Sequence, residues 1–318
     1  MALGLGINSY IGVGKETTWG TPVARTRFAE LVSEGLRLSR ERVVADSFRG
    51  LSKRRVFDGK RMVEGEFQIE LMYEQQGLLW QHLFNTVSPT TGPTQTTVYT
   101  HTYAPALALM AGLSVEVERD VQAFLYEGCK VGRCTIVAEP DKIVKATWGI
   151  VGEDESQVSA TSPTYPPEKP ILHTQLVAKI DDVALDLVSF ECIIDNNLFS
   201  DRRKLGASLI KEPTRAGMWE VSFSLVADFE DVTVYNKYFN ATDFKLNLIG
   251  TGATIAGSSP PTSESWDLEL PRCIARGNSP AVGGPGPIRL TLQGFAAYNI
   301  SGSAEAVKLT MKTSESSL

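Results

Sequence analysis

Residues 61–73 read RMVEGEFQIELMY, a stretch in which hydrophobic and acidic side chains alternate. Successive side chains of a β-strand point to opposite faces of its sheet, so this period of two predicts a strand with one buried face and one wet face. The wet face would carry Glu64, Glu66, Gln68 and Glu70. Apolar residues at helical spacing follow over residues 73–84 and predict a short helix that packs on the sheet.

The same succession of patterns returns about 150 residues later. Residues 217–228 alternate again, with Trp219 and Val221 on one face and Glu220 on the other, and a helical pattern follows over residues 229–240. A charged loop precedes the alternating strand in both halves, so we predict a duplicated unit. The other explanation is two unrelated β domains that look alike because alternation is common among strands.

The stretch between the two patterns differs in composition. Residues 156–170 contain four prolines and few periodic apolar residues, and we interpret them as a semi-extended linker. The expected domains are residues 1–155, with a long basic hairpin, and residues 171–318, a similar domain that ends in a C-terminal tail. The predicted fold class is mainly β, with two similar β-sandwich domains and a short flanking α-helix in each.

Composition and charge exclude several classes of protein. The 318 residues are 42% hydrophobic and 21% charged, so the chain can fill a core and is not wholly disordered. The formal net charge of −6 argues against a dedicated DNA-binding domain, which is usually basic. No stretch has the roughly 20 consecutive apolar residues that span a bilayer, and no secretory signal pattern is present, so we expect no membrane contact.

Motifs for catalysis or cofactor binding are incomplete. Residues 12–16, GVGKE, match half of a phosphate-binding P-loop, but Ser9 stands where the first glycine is required and Glu16 where the motif needs a hydroxyl. The three histidines and four cysteines lack the spacing of a zinc site, and we interpret the cysteines as reduced thiols. The carboxylates of residues 64–70 are more typical of a wet sheet face than of a glycosidase pair. We therefore expect no enzyme, no metal and no cofactor.

A strongly basic segment lies between residues 37 and 61, where nine Lys or Arg residues accompany three Asp or Glu residues, a local net charge of +6. Three interpretations are open: a solvated loop, a nucleic-acid patch, or an arm that docks on an acidic protein neighbour. A shorter basic loop at residues 201–204 favours the docking arm. The candidate contact residues are Arg49, Lys53, Arg54, Arg55, Phe57, Arg202, Arg203 and Lys204.

Three motifs stand in order along the first half. They are GVGKETTWGTPV at residues 12–23, DSFRG at residues 46–50 before the strand entered through VEG at residues 63–65, and YEGCKV at residues 126–131. Together they resemble the tail tube (major tail) proteins of long-tailed bacteriophages. The resemblance covers residues 1–155 best, and the second half matches mainly in pattern. The order of the motifs carries the resemblance, because none is specific alone.

The resemblance implies tail-tube-type β-sandwich domains whose inner sheets close into a β-barrel when subunits form a ring. It also implies that rings stack into a tube for genome passage and that the hairpin contacts a neighbouring subunit or ring. The implied partners are further copies of the chain, other tail proteins at the tube ends, and phage DNA as non-specific passing cargo. The implied location is the virion tail, after assembly in the host cytoplasm.

Two further expectations combine this resemblance, which implies rings of six tube domains, with the sequence patterns described above. Three copies would form a ring with pseudo-sixfold symmetry, and a hexameric ring is the alternative. The candidate lumen-facing acids are Glu64, Glu66, Glu70 and Glu220, whose negative charge would repel DNA phosphates. The alternative function is a tandem β-sandwich binding module that recognises a carbohydrate or a receptor, and a carboxylate-based hydrolase is the remaining class.

Overall fold

The computed structural model describes residues 3–47, 52–53, 55–85, 88–91, 97–165, 169–277 and 279–316. Strands make up 52% and helices 7% of the protein, so the fold is mainly β, as the sequence predicts. Neither α-helix in the described ranges is long and apolar enough to cross a membrane.

The first half contributes one α-helix, α1 (Gly77–Phe84). Its described strands are β1 (Tyr10–Glu16), β2 (Arg27–Glu30), β3 (Ser33–Glu34), β4 (Arg37–Val44), β5 (Val56–Glu70), β6 (Ser88–Thr91), β7 (Tyr99–Tyr103), β8 (Gly112–Glu118), β9 (Ala123–Ala138), β10 (Lys145–Gly152) and β11 (Asp154–Val158). A short 3-10 turn, Gly6–Asn8, precedes β1. The period-two stretch lies in β5, and the helix begins seven residues after that strand ends.

The second half contributes α2 (Thr233–Phe239) and a 3-10 turn, His173–Gln175. Its described strands are β12 (Leu176–Ile180), β13 (Val183–Leu185), β14 (Leu187–Asp195), β15 (Leu198–Phe199), β16 (Thr214–Arg215), β17 (Glu220–Asp228), β18 (Phe244–Thr254), β19 (Ser263–Gly277), β20 (Arg289–Ala296) and β21 (Lys308–Thr313). Strands β15 and β16 pair only with each other among the described strands.

Eight of the described strands form a continuous antiparallel sheet that crosses both halves of the chain. Their order is β4–β5–β10–β9–β14–β17–β20–β19, and we call this the eight-strand sheet. The halves meet where β9 pairs with β14, with Ile136 opposite Cys192 and Cys134 opposite Ile194. All four side chains are buried. The halves are therefore joined by backbone hydrogen bonds and a shared apolar face.

A second layer covers the apolar face of the eight-strand sheet. In the first half its order is β2–β1–β8–β9–β11, and in the second half it is β13–β12–β18–β19–β21, extended by β7 and β6. Strands β9 and β19 belong to both layers, because their first parts pair in the second layer and their last parts in the eight-strand sheet. Gly128 has a φ of +62° where β9 passes between layers, a left-handed conformation that glycine adopts without strain.

The order of strands is the same in the two halves. The run β4–β5–β10–β9 corresponds to β14–β17–β20–β19, and β2–β1–β8–β11 corresponds to β13–β12–β18–β21. Helix α1 follows β5, and helix α2 follows β17 at the equivalent place. The repeated sequence pattern thus coincides with a repeated strand order. Within the described residues the strands do not close into a barrel.

A single hydrophobic core extends through both halves, and α1 lies at its centre. All eight residues of α1 are buried. The indole of Trp80 contacts Trp148 in the first half, with ring centroids 4.7 Å apart, and Trp266 in the second half, at 6.3 Å. Helix α1 therefore packs against both halves of the chain at once.

The stretch predicted as a linker, residues 156–170, begins inside strand β11, which pairs with β9. Further along, the backbone N–H of Thr161 donates to Glu116 Oε1 at 2.8 Å. Near the end of the stretch, Lys169 Nζ lies 3.0 Å from Glu74 Oε2. Both ends of the stretch are packed against the protein. The domain boundaries themselves stay a prediction.

Candidate functional site

The face of the eight-strand sheet that points away from the core is polar, and we call it the polar face. One row of neighbouring side chains crosses it through Glu66, Gly149, Arg133, Asp195 and Glu220. The next row crosses it through Gln68, Thr147, Thr135, Ile193 and Ser222. Side chains directly opposite each other on one face of an antiparallel pair lie about 4.5–5.5 Å apart. The polar face is therefore one connected surface that spans both halves.

The four candidate lumen-facing acids, Glu64, Glu66, Glu70 and Glu220, all lie on the polar face. Glu66 and Glu220 are exposed. The carboxylate of Glu64 lies 3.4 Å from Nη2 of Arg37 on the edge strand β4, and Glu70 lies opposite Lys145 of β10. Exposed ion pairs of this kind contribute little stability, about 0–1 kcal/mol each. The four residues thus share one surface, with two of them beside a basic neighbour.

Strands β4 and β5 form a hairpin that extends beyond the rest of the sheet. The neighbouring strand β10 ends opposite Val63, whereas β4 and β5 stay paired as far as Val44 and Val56. No other described strand pairs with the outer part of the hairpin, and its side chains are largely exposed. This projection corresponds to the basic segment that the sequence singles out.

The hairpin carries five of the predicted contact residues. Lys53, Arg55 and Phe57 are exposed. Arg49 and Arg54 lie outside the described residues. On the same face as Phe57, Val43 lies directly opposite it, and the two side chains are 54% and 56% exposed. The hairpin therefore presents an apolar pair within a basic surface.

The second predicted contact loop, residues 201–204, lies against the base of this hairpin. Lys60 Nζ is 2.6 Å from Asp201 Oδ1, and Arg203 binds Glu41 of β4 through both carboxylate oxygens, at 2.9 and 3.1 Å. Arg203 and Lys60 together hold the pKa of Asp201 down to about 2. The structure thus brings together two loops that the sequence presented as separate, because opposite charges on them pair within the chain.

The remaining residues of this loop differ in how they are used. Arg202 Nη1 donates to the backbone oxygen of Glu212 at 2.5 Å, which closes the loop on itself. Lys204 is exposed. Of the three predicted basic residues in this loop, Arg202 and Arg203 are therefore bound within the chain and Lys204 faces outward.

The outer strands β4 and β19 are the two edges of the eight-strand sheet. Residues 274–277 of β19 pair with β20 on one side, and no described strand pairs with them on the other. Strand β4 pairs with β5 alone among the described strands. Beside β4, the guanidinium of Arg119 donates to the backbone oxygen of Leu36 at 2.7 Å and to Glu34 at 2.7 Å. Open strand edges are places where another chain can add by backbone pairing.

From the sequence we did not predict that β19 is an edge strand, nor that Arg119 binds Glu34 and Leu36 beside β4. Pro271 within β19 was an available signal, because proline in sheets is confined to edge strands, strand ends and bulges. Arg119 lies in the short connection between β8 and β9. Its contact with Leu36 joins positions 83 residues apart, which no local pattern can reveal.

The four cysteines and His82 have the properties of side chains that fill a core and not of reactive groups. All four cysteines are buried and free, and burial raises the pKa of the Cys134 thiol well above its usual value. Burial, with Lys15 and Lys130 nearby, lowers the pKa of His82 in α1 to about 3. Within the described ranges, no group of three or more His, Cys, Asp or Glu side chains is placed to hold a metal ion. A reactive thiol would need the reverse, a lowered pKa and access to solvent.

The chain matches a known protein family. A family model for phage tail tube proteins matches residues 6–301, nearly the whole chain and both of its halves. No curated protein matches the chain. The family match supports a structural role and gives no support to a carbohydrate-binding or receptor-binding module. The chain therefore belongs to the phage tail tube protein family and is a structural subunit of the tube in a virion tail.

Proposed function

We propose that three copies of this chain form one ring of the tube, with pseudo-sixfold symmetry, and that rings stack around a channel for the phage genome. Each chain would contribute two tube domains, residues 1–155 and 171–318. The observation that carries this proposal is the recurrence of the strand order β4–β5–β10–β9 as β14–β17–β20–β19 within one sheet. A ring of six chains is the alternative.

The strand pair that joins the two halves of one chain indicates which strands would pair between neighbouring chains of the ring. In the repeat, β9 corresponds to β19 and β14 corresponds to β4, so the pair β9–β14 corresponds to β19 beside β4 of the next copy. Both of these strands are edges of the eight-strand sheet. Closing the ring in this way would pair the edges and form a barrel of twenty-four strands from three copies. Ring closure removes edges that otherwise favour aggregation.

The polar face would line the channel. On β5, β10, β9, β14, β17 and β20 it carries more acids than bases. The acids are Glu64, Glu66, Glu70, Glu191, Asp195, Glu220 and Asp228, and the bases are Arg133, Lys145 and Arg289. The edge strands β4 and β19 add Arg37 and Arg276, so seven acids stand against five bases. A net negative lining repels phosphates, so DNA would pass as non-specific cargo without binding tightly.

The hairpin and the basic loop would make contacts between copies. Lys53, Arg55 and Phe57 are exposed on the hairpin, and Lys204 is exposed beside its base. The same assignment extends to Arg49 and Arg54 by their place in the sequence. Other tail proteins would meet the tube at its ends. We further propose that assembly takes place in the host cytoplasm and that the subunit has no catalytic activity and needs no cofactor.

The mass of isolated rings tests the stoichiometry. Three chains of 34.7 kDa give about 104 kDa per ring, and six chains give about twice that mass. Native mass spectrometry of rings released from tubes at low protein concentration would separate the two values. A ring mass equal to six chains would contradict the three-chain ring and leave the tail tube assignment in place.

A further inference from the structure

The two ends of the eight-strand sheet differ in charge and in shape. Strand β5 begins at the hairpin and runs away from it, and neighbouring strands are antiparallel, so β9 ends and β14 begins at the far end. Strand β5 has 15 residues, and a strand rises about 3.3 Å per residue. The hairpin and the far end are therefore separated by on the order of 45 Å. A surface at the far end cannot be reached by the hairpin of the same chain.

An apolar groove of about 270 Å³ opens at this far end. It lies where the end of β9 and the start of β14 face β12, β13 and β18 of the second layer, so both halves of the chain contribute to it. Its apolar lining includes Ala138, Leu176, Leu185, Leu187, Val188 and Phe190. Leu185, Leu187 and Val188 are only partly buried, so the groove has solvent-accessible apolar surface. Each chain therefore carries one such groove and one projecting hairpin.

The rim of the groove is acidic. Asp186 lines the groove and is exposed, and Glu139 and Asp141 lie in the adjoining turn between β9 and β10. Lys142 pairs with Glu139 at 2.5 Å, and the ring of His173 lies 3.7 Å from Asp141. Lys145 also lies near Glu139, so three carboxylates and two lysines leave the rim negative overall. A cationic partner would be attracted to it.

The hairpin has the complementary chemistry. Its exposed apolar pair, Val43 and Phe57, matches the apolar lining of the groove. Arg55 is the exposed residue directly before β5, two residues from Phe57, and its backbone oxygen accepts a hydrogen bond from the backbone N–H of Ala45 at 3.0 Å. The segment 37–61 has a net charge of +6, and the rim of the groove is negative. Phenylalanine and arginine are both among the residues that are enriched in protein interfaces.

We propose that the groove beside the β9–β14 junction receives the β4–β5 hairpin of a second copy of this chain, with Phe57 inside the groove and Arg55 facing Asp186. The proposal rests on the tail tube function and names the surface that receives the hairpin. The contact is heterologous, because two different surfaces meet. A heterologous contact that does not close on itself generates an open stack, which is the geometry of a tube. One hairpin and one groove per chain give every copy a partner above and below.

Site-directed cross-linking tests this contact. Full-length chains with Phe57→Cys are mixed with chains carrying Val188→Cys under mild oxidation. The native cysteines are buried, so the introduced thiols are the accessible ones. We expect a covalent dimer at a rate at least tenfold above that of a matched control pair, Phe57→Cys with Val282→Cys. Val282 is 74% exposed in the loop after β19, at the same far end but outside the groove. Equal rates for the two pairs would overturn the proposal.

Exchanging the charges of residues 55 and 186 tests whether Arg55 contacts Asp186 or some other acidic residue. We expect Arg55→Glu to raise the concentration needed for tube formation at least tenfold, and Arg55→Glu combined with Asp186→Arg to restore it. Both positions are exposed, so circular dichroism should show an unchanged fold. Failure of the double variant to restore assembly would contradict the pairing of these two residues.

The outcomes also distinguish this proposal from the tail tube function. If the wild-type chain forms tubes but the Phe57→Cys and Val188→Cys chains show no preferential cross-link, the groove is refuted and the function stays intact. If these two variants form the specific dimer while the wild-type chain forms neither rings nor tubes, ring assembly is refuted and the groove is supported.

Discussion

Helices α1 and α2 occupy equivalent places in the two halves, and their surroundings are opposite. Each follows the alternating strand of its half. All eight residues of α1 are buried, whereas no residue of α2 is. In α2, the ring of Tyr235 stacks on Phe239 with centroids 5.9 Å apart, and Phe239 is 69% exposed. Repetition has therefore preserved the order of strands and not the environment of the helix.

One contribution to this difference is a longer connection after the helix of the first half. Strands β6 and β7 follow α1, and β7 pairs with β21 of the second half. The equivalent connection after α2 is only four residues long, from Asn240 to Asp243. As a result Phe84 of α1 lies against Tyr103 of β7 and is covered. The first-half helix is a core element, whereas the second-half helix remains a surface element.

Replacing one aromatic residue in each helix by alanine should give the largest difference in the free energy of unfolding. Trp80→Ala removes a fully buried indole that contacts both halves, and we expect a loss of about 3–5 kcal/mol in the free energy of unfolding. Phe239→Ala is the matched control, with an expected loss below about 1 kcal/mol, because most of its ring is exposed. Urea denaturation of the two variants measures both values. Similar losses in both would show that α2 is covered within the monomer.

Because α1 is buried, its His82 should make the stability of the protein depend on pH. Burial lowers the pKa of this imidazole from 6.5 to about 3, so the unfolded chain binds its proton at a higher pH than the folded protein does. Stability from this group is complete above pH 6.5 and declines as the pH falls toward 3. We expect about 2 kcal/mol less stability at pH 5 than at pH 7 from this residue alone. His82→Phe should remove that part of the pH dependence, and an unchanged slope would contradict the assignment.

A smaller effect is expected where three segments of the chain meet at Lys169. Its ammonium pairs with Glu74 of the first half and Glu264 of the second. Burial raises the pKa of Glu74, but hydrogen bonds from Ser314 and Lys169 outweigh it and lower that pKa. Lys169→Met would leave two largely buried carboxylates together, at a cost of about 1–2 kcal/mol. Lys142→Met, which breaks an exposed pair, is the control. Equal effects in thermal denaturation would mean that Lys169 does not hold the halves together.

The sequence predicted the elements of this fold better than their connections. Alternation in residues 61–73 identified β5, because burial on one face imposes a period of two. Apolar residues three and four positions apart identified α1 and α2, because an amphipathic helix has a period of about 3.6 residues. The pairing of β9 with β14 had no such signal, since both strands alternate and many registers satisfy alternation. Strand partners that are distant in sequence are chosen by tertiary packing, which local patterns do not record.

The candidate contact residues show the same limit. The basic hairpin was visible as a run of charge, and so was the loop at residues 201–204. Their contact through Arg203 and Glu41 was not, because the two positions are 162 residues apart. The groove at the far end was invisible for a related reason: its lining comes from β9 in the first half and from β12, β13, β14 and β18 in the second, which meet only after folding.

Cryo-electron microscopy of assembled tubes tests the central claim most directly. Our account predicts a barrel of twenty-four strands per ring, built from three chains, with β19 of one copy beside β4 of the next. Glu66 and Glu220, both on the polar face, should point into the channel. A map in which this face lies on the outer wall of the tube, or in which each chain supplies only one half to the barrel, would contradict the account.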